Sequence, residues 1–271
     1  AATLEILGQQ NTLGALVLDN DFNPGSITQL SAVGAADSVW GTAIQLNGPI
    51  FTTNINQATL GGGRTFLGAY NTTEYTGILT AGLADTDRAP IPMGLTTTAG
   101  VTGVFRLGGN NGANLILSGT NNTLSGAGNV LMVGAPMNAV AAVTNASGAA
   151  LIIRNSNDFG GGTIINKSNT IQIETGGYAG STPLGTGEIE VFGSLIVAGL
   201  VGSLSASTGT LNANSLVMRP GGVLFLDNST LYSGQFGQGR FGDTQSLLLD
   251  GATLRSAGNA VLDYTETLGT I

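Results

Sequence analysis

From Asn155 to Ala198 the chain runs as short apolar stretches cut at near-regular intervals by Gly, Asn, Ser and Thr. The stretches Thr163 to Ile165, Thr170 to Ile173, Glu188 to Val191 and Ser194 to Val197 alternate or cluster β-branched residues, and the gaps between them carry glycines that admit positive-φ turns. Strands of three to five residues are too short for a broad open sheet. A chain that coils upon itself, laying each short strand on the last, is the arrangement that buries their apolar faces. Comparable runs recur from Leu4 to Leu7 and Leu13 to Leu18, through Ala43 to Leu46, Phe51 to Ile55, Val104 to Leu107, Val130 to Val133 and Leu151 to Arg154, to Val223 to Leu226, Ser246 to Leu249 and Ala260 to Asp263. At about 20 to 25 residues per coil, 271 residues give roughly 11 to 13 coils, a rod about 55 to 60 Å long at about 4.8 Å per strand.

Composition removes whole classes of chemistry. The chain has 44 glycines and only 9% charged residues, yet 42% hydrophobic ones, so it has the apolar content for a long core. Cys and His are both absent, which excludes disulfides, thiolate metal sites, Ser-His-Asp hydrolases and His-based zinc chemistry. No cofactor is expected. The eight basic residues are scattered against 16 acidic ones, leaving no basic stripe for phosphates, so nucleic acid is not expected as a partner. Every apolar stretch is broken well short of a membrane-spanning length, so membrane insertion is not expected either. The opening Ala1-Ala2-Thr3 fits a product trimmed at a small-residue cleavage site, which points to secretion.

No window sustains helical periodicity; Val133 to Ala150, Ala-rich but interrupted by Pro136 and Gly148, is read as a loop or short helix beside the stack. The expected fold is all-β, one continuous β-solenoid over residues 1–271. Residues 20–95 are less regular, with Trp40, Tyr70, Tyr75 and several prolines, and are expected to carry inserted lateral loops.

Two blocks carry a family resemblance. Asn155-Ser156-Asn157-Asp158-Phe159-Gly160-Gly161-Gly162-Thr163, continuing to Leu184-Gly185-Thr186-Gly187, resembles the passenger-associated repeat of bacterial autotransporters, with one glycine more than its N-x-[YF]-x-G-G-T pattern. Asp250-Gly251-Ala252-Thr253-Leu254, followed by Thr267-Leu268-Gly269-Thr270-Ile271, is similar to the autotransporter-associated β-strand repeat. The resemblance covers about a third of the chain and implies a right-handed parallel β-helix displayed on a bacterial surface.

Independently of family, Thr267-Leu268-Gly269-Thr270-Ile271 nearly repeats Thr12-Leu13-Gly14-Ala15-Leu16, and neither terminus carries a recognisable cap. Uncapped coils template another chain, so copies of the chain are expected to meet head to tail through Leu4, Ile6, Leu13, Leu16, Leu262, Leu268 and Ile271, building a fibre. Two rival readings remain. One is a monomeric adhesin whose lateral loops hold a glycan or host surface, and the other is a polysaccharide-degrading β-helix.

Candidate chemical groups are sparse. Asp19, Asp21 and Asn23 place oxygen ligands at alternate positions, as calcium loops do, but Pro24 and Leu30 stand where an EF-hand needs Gly and Glu, and a polar turn is the plainer reading. Asp85 with Asp87, and Glu188 with Glu190 on one strand face, are the only carboxylate pairs that could serve catalysis; a solvated exterior is the expectation for both, and no catalytic residue is assigned.

Overall fold

The computed structural model describes residues 14–19, 42–60, 63, 65–84, 100–119, 124–134, 148–174, 182–199, 216–229, 240–241 and 246–258. Twenty strands account for nearly all of the regular structure. In chain order they are β1 Gly14–Asp19, β2 Thr42–Asn47, β3 Ile50–Phe51, β4 Ile55–Asn56, β5 Phe66–Ala69, β6 Thr73–Tyr75, β7 Leu79–Thr80, β8 Gly82–Leu83, β9 Gly103–Leu107 and β10 Leu115–Leu117. There follow β11 Asn129–Val133, β12 Leu151–Ile153, β13 Thr163–Ile165, β14 Thr170–Ile173, β15 Ile189–Val191, β16 Ser194–Val197, β17 Leu216–Met218, β18 Val223–Asp227, β19 Leu247–Leu249 and β20 Thr253–Ala257. Among the described residues there is no α-helix, only a 3₁₀ turn at Gln57–Thr59.

The strands form two parallel ladders. One runs β1-β2-β5-β9-β11-β13-β15-β17-β19 and the other β3-β6-β10-β12-β14-β16-β18-β20, and the chain passes from the first to the second in each coil. This is a parallel β-solenoid. Because the register steps strand by strand, like positions stack into columns: Leu107, Val133, Ile165, Val191 and Met218 form one, and Leu115, Leu151, Ile171, Leu195 and Leu224 face them from the second ladder. All ten are at most 1% exposed, and they belong to a single core cluster that extends from Ile44 to Leu247. Alternation along each strand is what keeps these columns on the inside.

Coil length departs from the even period expected of the sequence. Ala43 pairs Phe66 after 23 residues, whereas Leu67 pairs Leu107 only after 40, and the remaining coils take 26 to 32. Among the described residues, nine strands of the first ladder mark successive coils. The stretch from Phe51 to Ile55, read as one run, is two strands, with β4 and β7 making a third, two-stranded ladder.

Among the described residues the 40-residue coil is where the stack is faulted, and its repair is specific. β5 and β9 share only one register pair, and β8 lies antiparallel to the first half of β9. At the fault the buried Gln57 side chain stands in for a strand: its Oε1 accepts from the Arg106 amide at 3.1 Å, and its Nε2 donates to the Arg106 and Thr65 carbonyls at 2.7 and 3.2 Å. The buried Arg106 guanidinium donates to the Gly63 and Leu83 carbonyls at 2.7 and 3.1 Å, tying β8 and the turn before β5 to the outer side of β9. Corners are held the same way: Asn110 accepts from the Ala69 amide and donates to the Ala150 carbonyl, bridging three coils.

If alternation sets the core, Leu195→Ala should lower stability by about 2–5 kcal/mol, while Ile196→Ala, one residue along and half-buried on the other face, should cost roughly half of that or less. Denaturant midpoints of the two variants check this.

Candidate functional site

The features that bear on function are the two ends of the ladders and one cluster of ionised groups on the flank. Interior strands hydrogen-bond on both sides. By contrast, among the described residues β1 pairs only β2, β3 only β6, β19 only β17 and β20 only β18.

At the β20 end the side-chain columns emerge into solvent. The core column Leu115, Leu151, Ile171, Leu195 and Leu224 is closed to water, and its next member, Leu254, is 36% exposed. On the outer side of the first ladder the column Arg106, Met132, Ile164, Glu190 and Val217 is buried throughout, and its next member, Leu248, is 55% exposed. At the other end Val17 on β1 and Ile50 on β3 are exposed. Among the described residues, each end thus presents exposed apolar side chains beside a strand whose outer edge has no described partner.

Leu16 lies in β1, in register with Ile44 of the core column. Leu4, Ile6, Leu13, Leu262, Leu268 and Ile271, the other residues expected at an end-to-end contact, lie outside the described residues. Of the oxygen-bearing run, Asp19 closes β1 opposite Asn47, while Asp21 and Asn23 lie outside, as do Asp85 and Asp87.

Glu188 and Glu190 are described, and here the expectation of a solvated face fails for Glu190. Its side chain is buried on the outer side of the first ladder, because the column it belongs to is covered along its length. The Arg219 Nε lies 2.5 Å from Glu190 Oε1, and Arg219 Nη1 reaches to 3.7 Å from Asp250 Oδ2. The other carboxylate oxygen, Oε2, has no hydrogen-bond partner. Burial pushes the Glu190 carboxyl above its ordinary value, against the pull of Arg219, and burial raises Glu188 as well. Nothing in the chain marked Glu190 as different from Glu188; the signal that could have done so is Arg219, two residues beyond Val217, the register neighbour of Glu190.

Two further buried cations also escaped sequence reading, which noted only that the basic residues are scattered. Arg106 has been described. Arg240 donates to Asn228 Oδ1 at 3.0 Å and to the Ala198 and Gly199 carbonyls at 2.8 and 2.7 Å, so it clamps the backbone of an earlier coil. Both arginines bind backbone carbonyls and serve the stack. The hint was in the sequence: Gly103-Val104-Phe105-Arg106-Leu107 sets Arg106 within an otherwise apolar run.

Fold and ends together define a β-solenoid whose distinctive surfaces are strand edges. Comparison with protein-family models, with curated proteins and with solved structures gives no match.

The Glu190 cluster sets a sign for pH. A carboxyl with a raised pKa in the folded state binds its proton more tightly there than in the unfolded chain, so its contribution to stability is full below the ordinary value of 4.5 and is lost as pH rises through the raised one. Glu190→Gln should therefore flatten the fall in stability as pH rises above the ordinary carboxyl value of 4.5, as read by thermal melts at a series of pH values.

Proposed function

We propose that the chain is a structural β-solenoid unit that stacks end to end with copies of itself, or with like segments of a longer polypeptide, into an extracellular fibre. The observation that carries this reading is the exposure of Leu254 at the end of a core column that is otherwise closed to water. A column that opens at its last rung is stabilised when another rung covers it. The parallel strand edge beside it supplies main-chain hydrogen bonds in the same direction.

The two ends differ in sequence, with β1 and β3 at one and β19 and β20 at the other, so the contact is heterologous and repeats rather than closing into a dimer. The near-repeat of Thr12 to Leu16 in Thr267 to Ile271 supports the same join, since like strands stack in like register. Low charge along the chain reduces repulsion between copies, and the all-strand body gives stiffness without covalent bridges. The resemblance to autotransporter repeats supports placement outside a bacterial cell.

Negative-stain electron microscopy and sedimentation of the purified chain test the reading. Rods that lengthen with protein concentration, and that Leu254→Lys shortens to single units without unfolding them, are the expected result. Units that stay single at millimolar concentration contradict it.

A further inference from the structure

The corners between the two ladders are uneven, and the unevenness makes a notch. In successive coils the corner holds four residues between β13 and β14, only two between β15 and β16, and four again between β17 and β18. The short corner, Phe192-Gly193, is drawn in against the one below it. A Cβ at Gly193 would stand 2.3 Å from the Asn169 carbonyl oxygen and 2.5 Å from that of Asn166, so no other residue fits this close approach without backbone movement. The flanking corners, at Lys167 and Ser168 on one side and at Gly221 on the other, stand two rungs apart, about 10 Å. Between them lies an open depression of about 320 Å³.

Its lining is chemically unlike the other corners. Corner asparagines are spent on the stack: Asn110, Asn157 and Asn166 bond backbone of neighbouring coils, and Asn169, in the notch itself, bonds the carbonyls of Asn166 and Lys167. In the notch, the Lys167 ammonium and the hydroxyls of Ser168, Thr170 and Ser194 make no hydrogen bond or ion pair within the chain. Ser168 is held at φ 64, a conformation that a non-glycine residue rarely adopts. Phe192, half-buried, is the one aromatic residue among those lining the site.

We propose that this notch binds a saccharide chain bearing carboxylates, that is, a uronic-acid-containing oligosaccharide. A pyranose ring presents an apolar C–H face that packs on an aromatic ring, and its equatorial hydroxyls match uncommitted hydroxyls that both donate and accept. Lys167 is a point cation with three donors, suited to a sugar carboxylate. A peptide strand is disfavoured here: β14, β16 and β18 are each paired on both sides, so the floor offers no open backbone edge. The site is independent of the ladder ends, so it functions equally in a single unit or along a fibre.

Titration calorimetry of the full chain with a panel of uronic-acid hexasaccharides, and with the methyl ester of each as a neutral counterpart, tests the proposal. The expected result is binding of at least one acidic hexamer, with its ester weaker by about tenfold or more. Lys167→Ala, at an exposed position, should remove that preference and leave the melting temperature unchanged. Phe192→Leu, which keeps bulk but loses the ring, should weaken acid and ester alike. A panel without a binder at millimolar concentration, equal binding of acid and ester, or binding unchanged in either variant overturns it.

Discussion

Parallel pairing in strict register is the constraint on which everything else in this molecule depends. Each strand of two to six residues contributes little on its own, and a two-stranded piece of the ladder would not hold together in water. Stacked, the same strands place Leu over Leu and Ile over Val in continuous columns, and their backbones pair with the strands above and below. A slip of one residue at any rung would turn Ile171 and Ile173 outward and bring Gln172 into the core. The register is thus enforced at every coil by the alternation of that coil's own sequence. It is also what leaves the first and last rungs incomplete.

The buried polar groups are intelligible as consequences of that constraint. A ladder tolerates irregular coils only where something replaces the missing backbone partners. Gln57 does so with its amide, Arg106 and Arg240 do so with guanidinium groups aimed at carbonyls, and asparagines do so at corners. These residues are uncharged or neutralised by several carbonyl dipoles, so their burial is compatible with a stable stack. Glu190 is different. It occupies a position in a covered column that Met132, Ile164 and Val217 fill with apolar atoms, and it depends on Arg219 from the next coil for its only charged partner.

Much of the fold was legible in the sequence where short apolar runs meet glycine. Thr163 to Ile165, Thr170 to Ile173 and Ser194 to Val197 are β13, β14 and β16 residue for residue. Less was legible where the chain leaves the regular path. The length of each coil depends on excursions between strands, and composition does not tell a turn of four residues from one of many; the span between Leu67 and Leu107 is the clearest case. The antiparallel β8 is two residues long, below what any period reveals. The burial of Glu190 follows from what covers the outer side of the first ladder, a tertiary fact with no local signal. The notch at Phe192 depends on comparing corner lengths in three successive coils, which needs the strand ends to be known first.

Register itself is open to direct test because the chain contains no cysteine. A disulfide needs Cα atoms within about 7 Å, which adjacent rungs satisfy at about 4.8 Å and rungs two apart, at about 10 Å, do not. Gln172 and Ile196 are in-register neighbours on β14 and β16, and Phe225 is the next in the same column on β18. The pair Gln172→Cys with Ile196→Cys should close a disulfide on oxidation, while Gln172→Cys with Phe225→Cys should not. Closure of the second pair and not the first would contradict the stacked-rung account.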